Sequence, residues 1–509
     1  MREGQRDVSS EMSDRLANFA WSAEMLWPQF ERTLRDEADA IALVDAEDRL
    51  WTRRQIADIA AAIVDVLRRS QIGKGRRILF PAERTVQTLA AALAVSRIEA
   101  VCCPYAPNLS EGDFARVAGV LGHAAHLRFD RDGSPQIALQ PPGRWSTDRR
   151  DQDAALIAFT SGSTGAPKAV IHRSEALNYV TTACATIAAL GARDAILGAI
   201  PMDGAAGFTF TVHMALASGR PLVLTGRWDP AEVLERAARF ACVWTTVVPT
   251  QLFTLVEAAR ASGGWSERLT LRTIAVGGSA MTPELIADAE THIGVTALRM
   301  FGMSECLAYC SNQPSYARET RLLADGRAFP GTEIATLDAD GRRLEPGDRG
   351  QAGVKGPSLF VGYAAGLGGG QEQLTAEGFY LTGDEIVVDR AGFVRVVGRI
   401  KDQIIRGGYN IDPAEVEAVL LRHPAVAQAA VVPTPHDKLG EQACAVCRLE
   451  PGATFTFEEM QAHFADAGVY KRKWPEHLVL VAVMQTLPLG KIDKRAMTAL
   501  AGKELAARS

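Results

Sequence analysis

The chain has 509 residues, 47% of them hydrophobic and 23% charged, with 55 basic against 60 acidic groups and a formal net charge of −5. At roughly 150 residues per domain that length implies several subdomains, and the ordinary composition excludes a disordered or fibrous chain. The mild acidity excludes a general binder of nucleic acid or of anionic membrane, so any polyanion must be held by a local site.

The first residues, MREGQRDVSSEMSDRLANFAW, carry acids and no apolar h-region, and no stretch approaches ~18 uninterrupted apolar residues. The expectation is a cytoplasmic protein without a membrane span. Residues 54–69 space apolar groups as a helix does, and 78–80 then read as a buried strand. A helix over 85–98 and a strand over 100–105 repeat the pattern.

Next comes a short apolar strand, Leu156 to Phe159, followed by TSGSTGAPK, Thr160 to Lys168. Glycines let a backbone turn several N–H groups toward one anion; Ser161, Ser163 and Thr164 add neutral donors, and Lys168 adds charge. The segment reads as a phosphate cradle rather than a surface turn, although it lacks the G-x-x-x-x-G-K-[ST] spacing of a Walker loop.

The alternation resumes with helix 174–190, strand 195–201, helix 207–218, strand 221–225, helix 230–239 and strand 242–249. It predicts βαβ units and mostly parallel sheets covered by helices. From about 331 to 398 short strands with Gly/Asp turns predict a β-rich, partly antiparallel subdomain. After Arg399 the pattern is helix 413–422, strands 426–432 and 442–449, helix 457–466, strand 478–484 and a terminal helix, enough for a separate α+β core. GLGGGQ, 366–371, reads as a surface loop. Eight cysteines show no disulfide framework, and Cys444-x-x-Cys447 sits in an apolar strand-like run with no second pair or His cluster beside it.

The cradle has company: GGSAMTP (277–283), MFGMSE (300–305), GRAFPG (326–331), YLTGD (380–384), GRIKDQIIRGGYNIDPAEVE (398–417) and GKIDK (490–494). In this order the seven motifs resemble the signatures of the adenylate-forming superfamily, which holds acyl-CoA synthetases, peptide-synthetase adenylation domains and luciferases. The resemblance runs from about residue 40 to 500. It implies a large N-terminal adenylation domain, 1–398, and a small mobile C-terminal domain, 399–509, with a hinge near Lys401. The chemistry explains the residue types: a carboxylate is a poor acyl donor, and joining it to the α-phosphate of ATP supplies AMP as a leaving group. That step brings an anion to a polyanion, so positioning and charge neutralisation dominate.

By this resemblance Thr160, Ser161, Gly162, Ser163, Thr164, Gly165 and Lys168 hold the β- and γ-phosphates. Glu305, with Thr160, contributes to Mg²⁺. Gly278, Ser279, Ala280, Phe301, Gly302, Met303 and Ser304 surround adenine and the acyl group. Asp384 takes the ribose hydroxyls, Arg399 contacts ribose or phosphate, and Lys491 bridges the substrate carboxylate and the α-phosphate. Gly407 and Gly408 approach the thiol channel after the small domain rotates, and Tyr470, Lys471, Arg472 and Lys473 form a basic cluster that reads equally as a CoA-phosphate site or a solvated face.

Two departures matter. LPLGK, 487–491, is a few residues shorter than in many relatives, which puts the reach of Lys491 in question. In PMDGAAGF, 201–208, Gly204 stands where acyl-CoA and aryl-CoA ligases often carry His or another aromatic residue, and Ala206 stands where amino-acid-activating domains place an aspartate. An ammonium buried there would lack a partner. With Asp203, Gly204, Ala205, Gly207, Phe208, Gly277, Met303, Cys306 and Leu307 as its walls, the pocket is expected to take a bulky, apolar carboxylic acid. Asp203 reads either as a loop cap or as a holder of a distal amine or hydroxyl. The expected partners are the acid, ATP and CoA. The alternatives are phosphopantetheine on a carrier protein acting in trans and, further off, a non-catalytic nucleotide-binding relative. Neither a nucleic-acid polymer nor a membrane is expected as partner; a homodimer is left open.

Overall fold

The computed structural model describes residues 19–509 apart from 161–167, 279–280, 365–373, 407–408, 437, 488–489 and 509. Helical spacing over 54–69 folds as the helix Arg53–Arg69, begun by a reciprocal cap in which Thr52 Oγ1 accepts from Gln55 N at 3.2 Å and Gln55 Oε1 accepts from Thr52 N at 2.9 Å. Ile56, Ala60, Ile63 and Leu67, one stripe of that helix, are buried. The helix Val86–Arg97 is buried from Val86 to Ser96 but for Gln87, and its run of alanines lets it lie close within the main core.

Two sheets carry the large N-terminal part, and the fold is mixed α/β. One has seven strands, running from Gly362–Tyr363 through Lys168–Arg173, Ala154–Thr160, Val101–Tyr105, Arg77–Pro81 and Ala125–Phe129 to Pro135–Leu139. The other has thirteen. Its middle, Ala195–Gly198, Cys242–Val247, Thr273–Val276 and Thr296–Phe301, is parallel. At Phe301 the direction changes: Cys310–Ser311, Gly326–Ala328, Phe393–Arg399, Tyr380–Val388, Arg349–Lys355 and Glu333–Leu337 follow as antiparallel neighbours. The β-rich texture expected from about 331 therefore starts near Cys310 and extends the parallel sheet. Its first strands, of two and three residues, are too short to show a period of two in the sequence.

The expected helix over 207–218 is one continuous helical run, Ala205–Ser218, with a wider π turn over Phe208–His213. Gly207 stands at its start because a Cβ there would lie 1.6 Å from Pro201 O.

The small C-terminal part is built on the hairpin Val426–His436 and Gly440–Leu449, with His477–Leu480 parallel to the second strand. Helices Pro413–Leu420, Phe457–Asp466 and Lys494–Arg508 accompany it. Cys444 and Cys447 are buried within this sheet, as the apolar run predicts, and neither forms a disulfide. The two parts meet near the chain crossing at Arg399. Arg349 bonds Glu385 at 2.6 Å and faces Asp412 at 3.6 Å, and Gln403 donates to Glu385 at 3.2 Å. Arg448 faces Glu257 at 3.7 Å.

Candidate active site

The described residues of motifs 277–283 and 300–305 follow two neighbouring parallel strands of the large sheet, beside the place where its direction changes and where open α/β sheets commonly leave a crevice. Strand Thr296–Phe301 runs out into a tight loop: Met303 N donates to Cys306 O at 2.8 Å and Tyr309 N returns to Phe301 O at 3.1 Å. Gly302 is needed there, since a Cβ would come within 2.8 Å of Ala308 Cα. The ring of Phe301 meets the edge of Tyr309 at 5.0 Å.

The loop delivers Glu305, which is buried, and its carboxylate accepts a 2.5 Å hydrogen bond from the hydroxyl of Tyr363. Burial, with Glu305 beside it, pushes the Tyr363 phenol well up, so it stays a donor. Lys168, at the start of strand Lys168–Arg173, reaches the same hydroxyl at 3.5 Å and stands 5.0 Å from the ring centroid. His172, on the same face of strand Lys168–Arg173, bonds Ser304 O through Nε2 at 2.7 Å. Burial lowers the pKa of His172 to about 4, so the neutral ring is a fixed donor that pins the loop from behind.

Across the crevice Asp384 and Arg399 are opposite each other on antiparallel strands, and Arg399 Nε donates to Asp384 Oδ1 at 2.9 Å. Burial raises the Asp384 pKa and the guanidinium opposes that rise, leaving a buried acceptor at the crevice edge. Gly277 and Gly278 follow strand Thr273–Val276; a Cβ on Gly277 would lie 2.6 Å from Met300 O.

Gly278 has φ +99°, and a Cβ there would lie 2.7 Å from Cε of Lys491. The small domain thus inserts Lys491 over the motif 277–283. Leu487 N donates to Lys491 O and Gly490 N to Leu487 O, each at 2.7 Å, and Thr250 donates to Gly490 O from the large domain. Shortness does not prevent the reach, because these bonds anchor Gly490 beside Lys491. Burial, with Arg399 close by, lowers the Lys491 pKa to about 8 against the opposing pull of Asp384.

The acyl-pocket residues divide. Asp203 is half-buried; burial raises its pKa and Arg84 is the charge that opposes this. Arg84 itself is tied to Gly198 O, Ala199 O and Thr225 Oγ1 at 2.8–2.9 Å. Gly204 and Ala205 are buried, with Gly204 at the start of the helical run. Phe208 and Leu307 belong to the main core, and Met303 is half-buried. Cys306 is fully buried against Ser358 at 3.2 Å in the core of the antiparallel part, so its thiol faces that core. Of the basic cluster, Lys473 is held by Glu415 at 2.7 Å, and Lys471 lies 5.9 Å from the Trp474 ring.

The backbone of Lys401 lies in the 3₁₀ turn Ile400–Asp402 directly after Arg399, and strand Ala154–Thr160 pairs Thr160 with Lys168. Ser161, Gly162, Ser163, Thr164, Gly165, Ser279, Ala280, Gly407, Gly408 and the 366–371 segment lie outside the described residues. A surface groove of about 690 Å³ along Thr182, Thr186, Met214 and Arg220 contains none of the site residues.

Tyr363 and His172 are absent from the sequence reading. A lone tyrosine after glycine in VGYAAG and a histidine at an alternating strand position in KAVIHR are the only signals, and neither names a partner.

A buried carboxylate near one lysine, an acid–arginine pair, and a second lysine brought by the smaller domain are the arrangement that the described residues show. Residues 30–364 match the AMP-binding enzyme family and residues 415–491 match the AMP-binding enzyme C-terminal domain; the chain belongs to this family of adenylate-forming enzymes. It is 31% identical, over 68% of its length and 62% of the other's, to the salicylyl-CoA synthase / salicylate adenylyltransferase of Streptomyces sp. It is 26% identical to the medium-chain fatty-acid–CoA ligase of Escherichia coli K12 over 93% of this chain and 90% of that one. The fold superposes on ATP-bound MatB from Rhodopseudomonas palustris with a TM-score of 0.82 at 23% identity, covering 94% of this chain and 99% of that one. With the first of these relatives the match spans about three fifths of that protein's length. Among the described residues no helix is long and apolar enough to cross a membrane.

Proposed function

We propose that the protein is an ATP-dependent acid–thiol ligase. A carboxylate oxygen attacks the α-phosphorus of ATP, the bond to pyrophosphate breaks, and the acyl-adenylate forms; a CoA sulfur then attacks the acyl carbon and AMP leaves. The observation that carries the reading is Lys491 of the small domain seated at Gly278 beside Arg399 and Asp384; Glu305 and Lys168, joined through Tyr363, accompany it. Lys491 stands ready to neutralise the carboxylate and the α-phosphate as they approach. Asp384 accepts from the ribose hydroxyls, and Lys168 meets the phosphates that depart. The likeness to the medium-chain fatty-acid–CoA ligase over nearly the full length supports CoA as the thiol.

The donor set fits Mg²⁺: one buried carboxylate, Glu305, with Lys168 close by across Tyr363, suits a cation bound mainly by substrate oxygens and water. Thr160 and Glu305 would hold it, and when bound it supplies charge neutralisation at the phosphates. We place the domain boundary at residues 398/399 and the hinge at Lys401, and we keep a bulky apolar acid as the substrate class on Gly204 and Ala205. Gly207 is required by packing against Pro201 O whatever its place in the pocket wall.

A second reading, loading of a carrier-protein phosphopantetheine, is favoured by the engagement of Lys473 with Glu415, which takes one cation from the CoA-phosphate cluster, and by the adenylyltransferase in the name of the Streptomyces relative. Pyrophosphate release over a graded series of acids, followed by AMP release with CoA, tests the first reading. Turnover only with a pantetheinylated carrier would replace it by the second, and little gain from bulky apolar acids would overturn the pocket argument.

A further inference from the structure

Tyr363 occupies a strand of only two residues, Gly362–Tyr363, too short to hold its own position. It is held from outside. The strand pairs with Ile171 and Val170, Val361 N donates to Ile171 O and Ala364 N to Ala169 O, each at 2.8 Å, and Arg150 donates to Tyr363 O at 3.0 Å. Gly362, at φ +144°, permits that last bond, because a Cβ there would lie 2.5 Å from Nη1 of Arg150. The phenol ring is braced by Phe360 at 5.0 Å. So supported, the hydroxyl meets, beside the Tyr380 phenol, the Glu305 carboxylate on the loop after strand Thr296–Phe301 at 2.5 Å and the Lys168 ammonium at 3.5 Å, with Lys168 also 5.0 Å from the ring.

We propose that Tyr363 is a positioning residue for nucleotide and cation binding, its hydroxyl orienting the Glu305 carboxylate and its ring orienting Lys168. This rests on the reading of Glu305 as the cation-holding carboxylate. A hydrogen bond to one carboxylate oxygen selects a single rotamer and leaves the other oxygen for the cation, and such supporting bonds commonly decide about 10-fold or more of metal affinity. The ring acts separately, through cation–π attraction to Lys168.

The two contributions separate by substitution in the full-length enzyme. ATP affinity is measured by calorimetry in EDTA and across a Mg²⁺ series, beside thermal melts. Tyr363→Phe should raise the Mg²⁺ concentration for half-maximal tightening of ATP binding by about 10-fold, leaving affinity in EDTA and the melting temperature close to native. Tyr363→Leu should show the same Mg²⁺ shift and also bind ATP several-fold more weakly in EDTA. Glu305→Gln is the reference: if it leaves the Mg²⁺ requirement unchanged, the reading of Glu305 fails and the proposal with it. If Glu305→Gln raises the requirement while Tyr363→Phe does not, or if the Phe variant shifts only its melting temperature, the role of Tyr363 is overturned and that of Glu305 stands.

Discussion

The two lysines of the site are held in opposite ways. Lys168 belongs to the large domain and lies against Tyr363, which a paired strand, Arg150 and Phe360 support. Lys491 arrives from the small domain; where it enters, Gly278 leaves room for its stem and Thr250 holds the neighbouring Gly490. One corner is organised before substrate binds. The other is made of a removable part, and its lysine carries an electrostatic penalty that polyanionic ATP relieves, since burial and Arg399 disfavour the charged ammonium until the phosphates arrive. On the proposed function that contrast would suit a reaction in two stages, with the Lys168 corner kept throughout and the Lys491 corner used for the first.

Breaking the delivered corner should have the largest effect. Lys491→Ala should lower acid-dependent pyrophosphate exchange by about 10³-fold, with ATP binding by calorimetry nearly unchanged and transfer from chemically prepared acyl-adenylate retained. Unchanged exchange would remove Lys491 from the first half-reaction.

Gly278→Ala should come next. It puts a methyl where Lys491 Cε passes and demands a left-handed φ of a non-glycine residue, so exchange should fall by about 10–100-fold. Because both changes act on one contact, the Gly278→Ala/Lys491→Ala double variant should be no worse than Lys491→Ala alone. Additive losses would mean that Gly278 acts elsewhere.

The pH profile sharpens the comparison at smaller amplitude. With a pKa lowered to about 8, Lys491 loses its proton as pH rises through 8, so kcat/KM for the first half-reaction should fall on the alkaline side. Bound ATP favours the charged form, so the corresponding limb in kcat should lie at higher pH. Lys491→Arg, which stays charged, should abolish the limb whatever its residual rate. A limb that persists in the Arg variant belongs to another group.

The smallest effect is expected at the domain contact. Arg349→Gln removes the partner that faces Asp412 across the two domains, and should shift the balance toward the thiol-transfer orientation, lowering exchange by about two- to five-fold without lowering transfer from preformed acyl-adenylate. Equal losses in both half-reactions would mark Arg349 as merely structural.

Much of the fold is legible along the chain because burial has a period. The apolar spacing over 54–69 and 230–239 becomes the helices Arg53–Arg69 and Pro230–Arg239, and the apolar run over 242–249 becomes strand Cys242–Val247. The motif residues are legible for a different reason: phosphate, ribose and carboxylate each demand particular donors, acceptors or a bare backbone. Tyr363 and His172 escape such reading, because alternation on a strand says that a side chain is buried and not what it meets. The packing demand at Gly207 escapes it for the same reason, since its need for a bare Cα arises from Pro201 O folded back upon it.

The sequence by itself determined the alternating α/β order, which follows from local apolar spacing, and its ordered motifs carried the resemblance to the adenylate-forming family that residues 30–364 and 415–491 bear out. Only the tertiary structure decided that the antiparallel strands continue the parallel sheet, that Tyr363 joins Lys168 to Glu305, and that a shortened segment still brings Lys491 to Gly278. Those outcomes depend on contacts between segments tens to hundreds of residues apart, and a hydrogen bond or a 2.7 Å approach at that separation leaves no periodic trace in either segment.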